Sequence, residues 1–203
     1  MKELLLMSSL DAFAPKIDSV FSRPFSELNV VCIPTAANAY ENTDWLAEET
    51  APLKNRAKTF VEFDLLGKSY GDVYAALKNA DVIYVTGGNT YYLLEQVRLC
   101  DFSGALKQRL QAGAYYIGGS AGAVLACPRI DFIGDMDDPG KANLDTYEGL
   151  GLVDCPVMPH IDHEEYGPKT MKVIADLESQ GVKIIGLRED QALHVRDNRM
   201  EIC

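Results

Sequence analysis

A chain of 203 residues with 47% hydrophobic and 24% charged side chains can bury roughly 70% of its unfolded surface, enough for one sizeable core without metal or disulfide support. We therefore expect a single domain over residues 1–203. Thirty acidic residues against nineteen basic ones give a net charge of -11, which disfavours a nucleic-acid backbone or an anionic membrane surface as the main partner.

The N-terminal stretch "MKELLLMSSLDAF" has too short an apolar run for a signal peptide, and nowhere is there an 18-residue apolar span. From there, short apolar runs alternate with helical segments. "ELLLMSS", "NVVCIPTA", "TFVEFDLL", "DVIYVTGG", "AYYIGGS", "CPVMPHI" and "VKIIGL" read as strands, most of them hydrophobic enough to be buried on both faces. Between them, Asp44 to Phe60, Tyr70 to Asn79, Thr90 to Arg98, Ser103 to Ala112, Ser120 to Cys127 and Pro168 to Gln180 have helical length and spacing. The C-terminal "ALHVRDNRMEIC" reads as a hairpin turning at Asp197-Asn198. This rhythm predicts an α/β fold, a parallel sheet with helices on both sides. The five cysteines are widely spaced, with no CxxC pair and no metal-ligand pattern with the three histidines. They read as reduced thiols, which places the chain in the cytoplasm.

In such sheets the ligand site lies beyond the carboxyl ends of the strands. Two Gly-rich turns fall there, Gly87-Gly88-Asn89-Thr90 and Gly118-Gly119-Ser120-Ala121-Gly122. Neither has the spacing of a nucleotide-binding loop. The second satisfies G-x-S-x-G between a predicted strand and a predicted helix, the turn that projects a serine hydroxyl clear of a sheet. A serine needs a base, and the base needs a carboxylate. His160, at the end of a predicted strand, is the first choice for the base. His163 reads as a surface residue of an acidic turn, and His194 as a structural residue of the terminal hairpin. For the carboxylate the residues leave several candidates open: Asp131, Asp135, Asp137, Asp138 and Asp145 in the loop after the elbow, and Asp162 and Glu189 at strand ends.

Taken together, "GGNTYYLL", "YIGGSAGAVLACPRI", the "DMDDP" loop and "MPHIDH" resemble the peptidase E family, the S51 serine peptidases, over nearly the whole chain. The resemblance implies a three-layer α/β sandwich similar to class I glutamine amidotransferases, with serine at the nucleophile elbow. It implies Ser120 as nucleophile, His160 as base and Asp135 as acid. It further implies that the N–H groups of Gly88 and Ala121 form the oxyanion hole. The implied activity is hydrolysis of dipeptides or short peptides, including those that begin with Asp, with no metal or organic cofactor; we expect a monomer or homodimer. One departure bears on specificity. Where relatives carry an arginine for the substrate aspartate, this chain has Met171, with Lys169 and Lys172 as the local substitutes. Two other readings stay open: an esterase of α/β-hydrolase type, which would favour His194 as base, and a binding protein that has lost turnover.

Overall fold

The computed structural model describes residues 2–197 and 199–203, with Asp135 described through its backbone alone. In chain order the elements are β1 (Glu3–Met7), α1 (Leu10–Phe13), β2 (Asn29–Ile33), α2 (Trp45–Lys54), β3 (Thr59–Glu62), α3 (Tyr70–Leu77), β4 (Val82–Val85), α4 (Thr90–Leu99), α5 (Phe102–Gln111), β5 (Tyr115–Gly119), α6 (Ala121–Leu125), β6 (Val157–Met158), α7 (Gly167–Ser179), β7 (Ile185–Gly186), β8 (Ala192–Arg196) and β9 (Arg199–Ile202). Seven strands form one sheet in the order β3-β2-β4-β5-β1-β8-β9. The first five run parallel, while β8 and β9 pair antiparallel. The fold is thus α/β, with a mixed, mostly parallel sheet flanked by helices.

Side chains alternate across a strand, and here both faces are apolar and both are covered. Leu4, Leu6, Val31, Ile33, Ile83, Val85 and Tyr116 pack under α3, α4, α5 and α6. Leu5, Met7, Val30, Cys32, Val82, Tyr84 and Ile117 pack under α1, α2 and the turns that hold Ile17, Phe21 and Phe25. Burial on both faces explains why these strands read as continuous apolar runs. Helices α3 and α4 begin at capping side chains: the Ser69 hydroxyl accepts the Asp72 N–H, and Asn89 Oδ1 accepts the Tyr92 N–H.

Two expectations change. The strands at "CPVMPHI" and "VKIIGL" do not join the main sheet; β6 and β7 pair parallel with each other in a sheet of their own. The helix expected over Asp44 to Phe60 ends at Lys54, leaving Thr59 and Phe60 to β3. The turn expected at Asp197-Asn198 includes Asn198, which lies outside the described residues. The terminal hairpin docks on β1 through buried Glu3, whose Oε1 is 2.9 Å from His194 Nε2 and accepts the Arg196 Nε–H at 2.9 Å. Among the described residues, no helix is long and apolar enough to cross a membrane.

Parallel pairing has one consequence for function. The carboxyl ends of β1, β4 and β5 lie side by side, so Ser8, the Gly87-Gly88 turn and Ser120 meet at one edge of the sheet.

Candidate active site

Ser120 links β5 to α6 with φ 46° and ψ -107°, a conformation that a residue with a side chain rarely adopts. Its N–H donates to the Met7 carbonyl at 2.9 Å, which ties the elbow to the end of β1. The glycines two positions either side are steric necessities. A Cβ on Gly118 would stand 2.5 Å from the Gly122 carbonyl oxygen, and one on Gly122 would stand 2.2 Å from the Val85 carbonyl oxygen. Helix α6 therefore lies directly against β4 and β5, and the serine hydroxyl is pushed outward.

His160 follows β6 with φ 67°. Its backbone is held on both sides: its N–H donates to Ser8 Oγ at 3.0 Å, and its carbonyl accepts the Thr170 hydroxyl at 3.2 Å. So placed, the imidazole Nε2 is 2.8 Å from Ser120 Oγ and Nδ1 is 2.6 Å from Glu189 Oε1. A carboxylate only accepts, so the partners assign the Nδ1 proton to the Glu189 side and leave Nε2 to accept from the serine. Asp162 stands behind, its Oδ1 accepting the Glu189 N–H at 2.9 Å.

The structure brings Ser120 and His160 together, and the carboxylate on the imidazole is Glu189. Glu189 is one of the two strand-end candidates; the Asp135 side chain lies outside the described residues. His194, the base of the esterase reading, is bonded to Glu3 instead. His163 is not a plain surface residue, because it lines the cleft and stacks on Tyr166 with centroids 4.6 Å apart.

Opposite the serine, Gly88 has φ 133°, and a Cβ there would lie 2.3 Å from the Ala36 carbonyl carbon. Among the described residues neither the Gly88 nor the Ala121 N–H has an acceptor. Both residues border the cleft beside Ser120.

The cleft has a volume of about 530 Å³. Tyr40, Trp45, His163 and Tyr166 give it aromatic walls, while Asp11, Glu48, Glu49, Asp137 and Glu189 give it carboxylates. Among the described residues no lysine or arginine lines it. Lys169, Lys172 and Met171 are all exposed on α7 and lie outside the lining. Burial raises the Asp137 carboxyl above its ordinary value, against the lowering effect of the Thr90 N–H that it accepts at 2.7 Å and of nearby His160. Burial likewise raises Glu49, against its bonds from Tyr84 and the Gly87 N–H. Tyr40 is pushed up to about 12, by burial first and then by Asp137. Sequence reasoning missed Glu49, since one carboxylate in the polar run "LAEET" carries no signal. Among the described residues no group of three or more His, Cys, Asp or Glu could hold a metal ion.

The sequence model of Peptidase family S51 matches residues 4–203. An uncharacterized peptidase of Listeria innocua is 33% identical over 201 residues, covering 98% of this chain and 95% of the relative. Peptidase E of Salmonella paratyphi A is 36% identical over 122 residues, but these cover 59% of this chain and 48% of that protein. Among solved structures, a Listeria monocytogenes EGD-e protein superposes with a TM-score of 0.90 at 30% identity, over 100% of this chain and 98% of that one. A peptidase from an acI-B1 actinobacterium shares the fold, with a TM-score of 0.70 at 20% identity, over 100% and 87% of the two chains.

The contact between Gly122 and Val85 yields a stability test. Gly122→Ala must displace α6 or β4, and we expect a loss of about 1–3 kcal/mol in denaturant unfolding together with lost activity. Gly71→Ala is the control: on α3 its new Cβ meets nothing nearer than Ser69 Oγ at 3.7 Å, so stability should rise by about 0.5 kcal/mol.

Proposed function

The chain belongs to peptidase family S51, and on that premise we propose that Ser120, His160 and Glu189 form the catalytic triad of a serine exopeptidase acting on dipeptides and short peptides. One observation carries the reading: a single imidazole stands within hydrogen-bond distance of the elbow serine at one nitrogen and of a carboxylate at the other. Ser120 Oγ attacks the scissile carbonyl as His160 Nε2 takes its proton. The oxyanion that forms is stabilised by the N–H groups of Gly88 and Ala121, which need no reorganisation to receive it. The imidazolium, held by Glu189, returns the proton to the leaving amine. Water then repeats the sequence on the acyl-enzyme, with His160 as base, and frees the serine. The cleft's carboxylates suit a substrate that presents a free α-ammonium group.

This reading places the enzyme in the cytoplasm, a setting supported by five free cysteines, four of them buried. It does not retain a preference for Asp-first peptides. A substrate carboxylate would enter a cleft that already holds like charges and offers it no cation among the described residues.

Two tests follow. Ser120→Ala should lower kcat by about 10³-fold or more while the protein stays folded, and Glu189→Gln should come close to it, because the imidazolium loses its counter-charge. Asp162→Asn should be milder, and Asp135→Asn, assayed in parallel, should cost less than Glu189→Gln. A larger loss from Asp135→Asn would move the acid to that residue. For specificity, kcat/KM should be higher for Ala-Leu than for Asp-Leu, by about 10-fold or more. Lys169→Met and Lys172→Met should leave both values within about twofold, as expected of exposed side chains outside the cleft.

A further inference from the structure

Glu49 projects from α2 to the strand ends on which the nucleophile sits. Its Oε1 accepts the Tyr84 hydroxyl at 2.6 Å and the Gly87 N–H at 3.0 Å, which fixes the carboxylate in place. Among the described residues no donor reaches Oε2, and Glu49 lines the cleft. The carboxylate borders both catalytic turns. A methyl group on Gly119 would lie 3.0 Å from Oε1, and one on Gly87 would lie 3.5 Å from Oε2 and 3.3 Å from Ser120 Cβ.

The other cleft carboxylates are committed or exposed. Glu189 is held by His160, Asp137 takes the Thr90 N–H at the start of α4, Asp11 takes the Ser9 hydroxyl, and Glu48 is exposed. Among the described residues, no lysine or arginine pairs with Glu49 in an ion pair or lines the cleft to neutralise it. A preorganised, partly buried carboxylate with one free oxygen and no resident cation is built to receive a cation from outside.

We propose that Glu49 is a specificity-determining residue that binds the α-ammonium group of the substrate's first residue, so that the peptide bond presented to Ser120 is the first one. The proposal rests on the peptidase reading above. The dimensions agree with it. In a reactive complex the scissile carbon stands about 3 Å from Oγ, the α-nitrogen about 2.5 Å further, and its carboxylate partner about 2.8 Å beyond that. Ser120 Cβ and Glu49 Oε2 both lie within 3.5 Å of a single point at Gly87, well inside the combined reach.

The test compares Ala-Leu with propionyl-leucine, which differs from it only by lacking the amine. Wild type should favour Ala-Leu by about 100-fold in kcat/KM, the scale of a charge-assisted contact in a partly buried site. Glu49→Gln keeps an oxygen that can accept from Tyr84 and Gly87, and should bring the ratio below about 10-fold. Glu49→Asp keeps the charge and should hold the ratio above that of the Gln variant, which a merely structural role would not do. A wild-type ratio near one overturns the proposal, as does a Glu49→Gln enzyme that keeps the full ratio. In either case, turnover of Ala-Leu leaves the peptidase reading standing. A wild type that hydrolyses no peptide loses both.

Discussion

An imidazole can move a proton from a hydroxyl to a leaving amine only if its two nitrogens have been assigned in advance, one as donor and one as acceptor. In this protein the assignment comes from Glu189 at Nδ1, 2.6 Å away, and the free nitrogen then meets Ser120 at 2.8 Å. Neither contact is local in sequence. Ser120 comes from the main sheet, while His160 and Glu189 come from the small parallel pair β6-β7, so the site exists only where the two sheets are held together. Ser8 supplies that junction: its hydroxyl accepts the His160 N–H and donates to the Leu187 carbonyl, from the end of strand β1.

The junction has to withstand strain. Ser120 and His160 both carry positive φ, at 46° and 67°, and such conformations cost on the order of 1–3 kcal/mol each. What offsets the cost lies around them rather than in them. Leu4, Leu5, Leu6 and Met7 of β1 are fully buried, and the Ser120 N–H is bonded to the last carbonyl of that strand. Beyond it, the Tyr116 hydroxyl donates to the Gly122 carbonyl at 2.7 Å inside the core. A buried sheet edge and a glycine-lined crossing together hold a backbone that the serine and histidine would not choose for themselves.

Much of this was legible in the chain. The apolar runs gave the strands of the main sheet because burial on both faces leaves a continuous pattern, and the glycines around Ser120 announced a crossing too tight for a Cβ. The histidine was legible from its place at a strand end. The carboxylate was harder, for a definite reason. β6 and β7 are two residues each, paired Val157 with Ile185 and Met158 with Gly186, and it is this register that delivers His160 and Glu189 side by side. So short a pairing leaves no periodic trace, and the loop after the elbow offers five aspartates among which the residues alone do not choose. The lysines of α7 follow the histidine closely in sequence, and the turn of the helix leaves them in solvent. Glu49 was invisible because its role depends on Tyr84 and Gly87, one strand away.

Turnover by this mechanism depends on His160 activating Ser120. A neutral fluorophosphonate tests it without any assumption about the natural peptide, because its reaction requires only an activated nucleophile in an accessible cleft. With adduct formation followed by intact mass and peptide mapping, the account predicts a single adduct on Ser120, formed about 10²-fold or more slowly in His160→Ala. An adduct on another residue, or labelling of His160→Ala at the wild-type rate, would contradict it.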